Sequence, residues 1–144
     1  VSYICCHKRI NMGILSKMFG GKEGKVSKPE EKSYLNWLPL NEIGQLEEIK
    51  QTSKTEYVFI FKHSTRCSIS SIVLKRFEAL FKAEHQELKV YYLDLLKHRN
   101  ISDEIGDTFQ VVHQSPQLII LKNGISVQNA SHYDITNTDL SIFI

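Results

Sequence analysis

Hydrophobic positions alternate between two periods along this chain, one of helices and one of buried strands. Residues 42–52 carry Ile43, Leu46 and Ile49 at three-residue intervals, a helical stripe with Asn41 as its expected cap. From Thr55 to Lys62 the run Val58-Phe59-Ile60-Phe61 is continuous, as in a strand covered on both faces. Ile69, Ile72, Val73, Phe77, Leu80 and Phe81 then recur at helical spacing, predicting a long helix that begins near Cys67 and ends near Glu84. A second buried strand is expected over Leu88–Leu95. A shorter helix follows over Ser102–Phe109, with Asn100 as its cap. Leu118–Leu121 is a third apolar strand, and Asn123-Gly124 is a hairpin turn leading to an edge strand over Ile125–Asn129. Thr138–Ile144 reads as a short last helix. The order predicts an α/β fold, a central mixed β-sheet with helices on both faces.

Residues 1–36 read differently. Gly, Lys, Glu and Ser dominate 20–32, with Pro29, a composition suited to a flexible N-terminal leader before a domain over 37–144. The first residue is Val1 and Met12 follows, so residues 1–11 are read as lying upstream of the natural start. Met12-Gly13 resembles the opening of a myristoylation signal, but Lys17 stands where Ser or Thr is needed.

A length of 144 residues, 42% of them hydrophobic, suits one packed domain. The formal charge of +2, with acids interleaved among the bases, does not suggest nucleic acid as a partner. No apolar run approaches the ~20 residues of a membrane span, so no membrane partner is expected. Three cysteines, two of them adjacent, do not make a disulfide framework. With no secretory segment read, the expected setting is cytoplasmic.

The chemistry concentrates where the first strand meets the long helix. Cys67 sits where that helix should begin, and the first amides of a helix are unpaired and carry partial positive charge. Both features favour thiolate over thiol, and thiolate is the species that attacks a disulfide. Arg66 adjoins it in sequence and brings a full positive charge. Against this stands the ordinary reading of a lone cysteine as a small inert core residue. Ser70, three residues on, is either a plain first-turn polar residue or the occupant of the place where dithiol enzymes keep a resolving cysteine. Without that second thiol, a mixed disulfide on Cys67 needs an external thiol for release.

Lys62-His63-Ser64-Thr65-Arg66-Cys67-Ser68-Ile69-Ser70 resembles the signature of the YtxJ-type monothiol bacilliredoxins, and His113-Gln114-Ser115-Pro116-Gln117 is similar to that family's segment before its fourth strand. The resemblance covers roughly Trp37 to the C-terminus. It implies a thioredoxin-like fold and a bacterial cytosol. It also implies thiol–disulfide exchange in which Cys67 is the nucleophile and bacillithiol, or a similar low-molecular-weight thiol, is removed from S-bacillithiolated proteins. Bacillithiol is then a co-substrate, with no bound cofactor and no metal expected. Ser64, Thr65, Arg66, Ser70 and Ser115 take supporting places, and Pro116 is the proline that shapes the thiol-binding surface, in the cis form. Its other reading is a strand-initiating proline. Phe61 stands where many thioredoxins bury an Asp that serves the resolving cysteine.

The histidines His63, His85, His98, His113 and His132 lack metal-ligand spacing. His63 is read as a turn side chain, with acid–base work as its alternative, and His113 as structural. Cys5 and Cys6 are either an incidental pair in the leader or a remote resolving thiol. Two rival functions remain open. One is an iron–sulfur carrier of the monothiol-glutaredoxin type, although Ser68-Ile69 departs from that family's Gly-Phe. The other is a non-catalytic interaction module.

Overall fold

The computed structural model describes residues 33–144. The expectations that fall on 1–32, including the leader, the start at Met12 and the roles of Cys5 and Cys6, lie outside them. Five strands, β1 (Trp37–Pro39), β2 (Val58–His63), β3 (Lys89–Asp94), β4 (Gln117–Lys122) and β5 (Ile125–Ser131), form one mixed sheet in the order β1-β3-β2-β4-β5. β3 runs parallel to both β1 and β2, while β4 is antiparallel to β2 and β5 to β4. The helices are α1 (Gln45–Thr52), α2 (Ser68–Glu78) and α3 (Arg99–Phe109).

Every residue of β2 is buried, yet the pleat sends alternate side chains to opposite faces. Phe59 and Phe61 pack with Val73, Phe77 and Phe81 around α2. Val58 and Ile60 pack with Leu46 and Ile49 of α1 and with Ile101, Ile105 and Phe109 of α3. Helices therefore cover both faces, as the continuous apolar run requires. Trp37 edges against Phe61 and Tyr92 on the α2 side, and its indole Nε1 donates to Glu78 at 2.8 Å.

Several boundaries differ from the periodicity. Asn41 is not the cap of α1, which starts at Gln45 after Gly44. The Gln45 side chain folds back and its Oε1 accepts from the amides of Asn41 and Glu42, holding that segment out of the helix, with Ile43 and Gly44 in a turn. α2 stops at Glu78 rather than near Glu84. Leu80 and Phe81 bond to carbonyls three residues back, tightening the chain so that Phe81 enters the core. Ile69 and Ile72 face solvent, and the buried residues of α2 are Ser70, Val73 and Phe77. α3 begins earlier than Ser102, with His98 rather than Asn100 at its N-cap. The helix expected over Thr138–Ile144 is a 3₁₀ turn, Leu140–Phe143, preceded by another at His132–Asn137, and together they seal the α2 face with Ile135, Leu140 and Phe143. The three-residue β1 is too short to leave a pattern in the sequence.

Candidate active site

Strand β2 ends at His63, the chain turns over Ser64–Arg66, and α2 begins with Cys67 as its N-cap in extended conformation. Cys67 is partly exposed, with its amide bonded to the Ser64 carbonyl and its own carbonyl accepting from Ser71 N. Its side chain makes no capping hydrogen bond. The sulfur therefore stands at a helix start without being tied to it. This is not the setting of an inert core thiol.

Ser70 is fully buried, which corrects its reading as a plain first-turn polar residue and leaves standing its other reading, as the occupant of a resolving cysteine's place. Its hydroxyl accepts from the Ser64 amide at 3.1 Å and lies 2.8 Å from His63 Nδ1. With the Ser64 amide directed at its lone pair, the Ser70 proton is free to be donated to an unprotonated Nδ1. Ser64, Ser70 and His63 thus form one bonded unit that holds the turn carrying Cys67. Thr65 and Arg66 are exposed on the outside of that turn.

His63 is the last residue of β2 and is buried, which corrects its reading as a turn side chain. Burial lowers its pKa from 6.5, against the opposing pull of the Asp94 and Glu78 carboxylates. A histidine that resists protonation when folded leaves the unfolded chain with more bound protons below pH 6.5. Stability should therefore be held above that pH and fall on acidification. The denaturant midpoint at pH 5 should lie below that at pH 7.5. His63→Asn, whose carbonyl oxygen can take the place of Nδ1, should reduce the difference, whereas an unchanged difference would contradict this account. His113, also lowered by burial and then by the Lys62 charge, contributes in the same direction and leaves a residual slope.

The second sequence block lies at the same end of the sheet. Gln117 pairs with Lys62, the penultimate residue of β2, so Ser115–Pro116 lies beside the strand end from which the Cys67 turn departs. The Ser115–Pro116 peptide is cis, and the Pro116 carbonyl accepts from His132 N at 3.0 Å. Ser115 Oγ is a buried side-chain polar atom with no hydrogen-bond partner among the described residues. An orphaned buried hydroxyl of this kind costs about 1–3 kcal/mol.

Lys62 was given no role by the sequence, yet it is fully buried. Its Nζ lies 2.7 Å from His113 Nδ1 and 3.4 Å from the Ser102 carbonyl of α3. Desolvation lowers its pKa from 10.5 to about 8, with Asp103 opposing. The signal was present as a lysine directly following four apolar residues of β2, but only the register shows what it touches. Among the described residues there is no group of three or more His, Cys, Asp or Glu side chains able to hold a metal ion. No helix among them is long and apolar enough to cross a membrane.

Comparison with known proteins agrees with this geometry. Residues 38–140 match the family model described as monothiol bacilliredoxin BrxC. A solved oxidoreductase with a thioredoxin fold is 33% identical, with 69% of this chain and 85% of that one covered at a TM-score of 0.60. The thioredoxin of Schistosoma mansoni is 20% identical, with 76% and 100% covered at a TM-score of 0.58. That of Malassezia sympodialis is 18% identical, with 69% and 81% covered at 0.56. The fold is that of thioredoxin.

Proposed function

From the premise that this chain belongs to the monothiol bacilliredoxin family, we propose that it removes bacillithiol, or a similar small thiol, from protein mixed disulfides. It is a thiol redox protein in general terms by family and fold, and the finer assignment rests on one observation. The partly exposed Cys67 is the single cysteine among the described residues, and the position three residues on is filled by a buried serine already committed to His63 and Ser64. That pairing suits uptake of a small-thiol cap rather than reduction of a client's internal disulfide.

In the exchange, the Cys67 thiolate attacks the bacillithiol sulfur of the mixed disulfide. A Cys67–bacillithiol bond forms as the client's disulfide bond breaks, and the client leaves as a thiolate that takes a proton from water. A second small thiolate then attacks the bacillithiol sulfur and releases Cys67 as thiolate. Disulfides are conserved in number at each step, so no other oxidant is needed. Ser115 supports the docking of the incoming segment through its backbone beside Pro116. The clients in this reading are S-bacillithiolated proteins of the bacterial cytoplasm.

Intact mass after incubation with a bacillithiolated protein tests the proposal. A single bacillithiol adduct on Cys67, with the client returned to free thiol, is expected. Absence of both the adduct and the freed client would refute the assignment.

A further inference from the structure

Lys62 and Gln117 are cross-strand partners near the end of β2 and at the start of β4, and both are buried. As neighbours in register their side chains share the α3 face, and both reach the same short loop. Lys62 Nζ lies 2.7 Å from His113 Nδ1. The Gln117 amide donates to the Val112 carbonyl at 2.9 Å, and its Oε1 accepts from the Gln114 amide at 3.2 Å. Three consecutive exposed residues are thus held from beneath by two buried polar side chains, and Lys62 also ties the loop to α3 through the Ser102 carbonyl.

Core packing gives no reason for a lysine here. Val58 and Ile60, on the same face of β2, are apolar, and burying an ammonium is costly unless its bonds return the cost. The bonds it makes are spent on a loop that leads directly into Ser115–Pro116. Val112, at the head of that loop, is 81% exposed and apolar, an outward contact on a backbone fixed from within. The next residue of β2 does the matching work on the other face, where His63 holds Ser70 and the Ser64 turn. Adjacent side chains of one strand therefore brace the Cys67 turn on one face and the loop leading to Ser115–Pro116 on the other.

We propose that Lys62 and Gln117 are positioning residues that hold the Val112–Gln114 loop, and through it Ser115–Pro116, ready to receive the disulfide-bearing segment of a client protein. The inference rests on the exchange activity proposed above. It separates binding of a protein disulfide, which needs the loop, from the reactivity of the sulfur, which does not.

The test uses the full chain, a bacillithiolated client protein, and iodoacetamide as a small probe of Cys67. His113→Phe and Lys62→Met should raise KM for the client about fivefold or more, since small displacements of docking groups carry large kinetic penalties. Alkylation of Cys67 should stay within about twofold of the parent, as expected when only remote binding is lost. His113→Asn, which keeps an acceptor near the Nδ1 position, should hold KM within about twofold. Lys62→Met should not lower Tm, because it removes a buried charge whose folded pKa of about 8 lies below its ordinary 10.5. Unchanged KM in both His113→Phe and Lys62→Met would overturn the positioning role, as would a joint fall of alkylation, client exchange and Tm. If the parent itself fails to release the client, the exchange reading falls as well; parent turnover with unaffected variants removes only the positioning role.

Discussion

Replacing Cys67 by serine should abolish release of bacillithiol from a client while leaving the fold intact. A hydroxyl is not ionised at neutral pH and does not attack a disulfide at useful rates, so exchange should fall by about a thousandfold or more. Stability should change by no more than about 0.5 kcal/mol, because the residue is partly exposed and its side chain caps nothing. Client release followed with time, beside a thermal melt, reads both quantities. Residual exchange above a tenth of the parent rate would show that Cys5 or Cys6 performs the chemistry, and the site would have to be moved.

Ser70→Cys should change the mechanism rather than the rate alone. Residues three apart on a helix share a face, so the new thiol should lie near Cys67 and close a disulfide with it. A bacillithiol adduct on Cys67 would then be resolved within the molecule, and stable adducts should disappear from intact-mass spectra. The structure adds a detail that spacing could not supply. The new sulfur would be buried at the place where Ser70 Oγ now meets His63 Nδ1. An unprotonated His63 is able to take the thiol proton there, in a protein whose β2 carries Phe61 at the position of the usual buried Asp. The substitution has a structural cost, since a thiol bonds the Ser64 amide and His63 more weakly than a hydroxyl does. A loss of about 1–2 kcal/mol is expected, read as a lower denaturant midpoint. Persistence of bacillithiol adducts at the parent level would show that the two side chains diverge, and that the buried position is closed to a resolving thiol.

The elements themselves were legible wherever a period ran long enough to be counted. The continuous apolar stretch of β2, the stripe of α1 and the Asn123-Gly124 hairpin each answer to a local rule, and the fold contains all of them. The ends were less so, because ends are set by particular hydrogen bonds. The Gln45 side chain delays α1, and three-residue bonds at Leu80 and Phe81 close α2 early. Ile69 and Ile72 fit a helical stripe but point to solvent, while Ser70 between them is buried; hydrophobicity alone places the wrong face inward when a polar side chain has a partner waiting.

By itself the sequence determined a cysteine at a strand-to-helix turn and the lack of a second thiol three residues on, both from residue type and local order, while the block around Pro116 was joined to that site through the resemblance to a family. What only the tertiary structure decided is the use made of Lys62, His63, Ser70, His113 and Gln117. Whether a polar side chain is solvated, orphaned or bonded depends on which strand lies beside it and in what register. The pairing of Lys62 with Gln117 joins residues 55 positions apart. The pleat then sends Lys62 to the α3 face and His63 to the α2 face, and that division of one strand between two loops has no trace in local sequence, because it exists only once the sheet has formed.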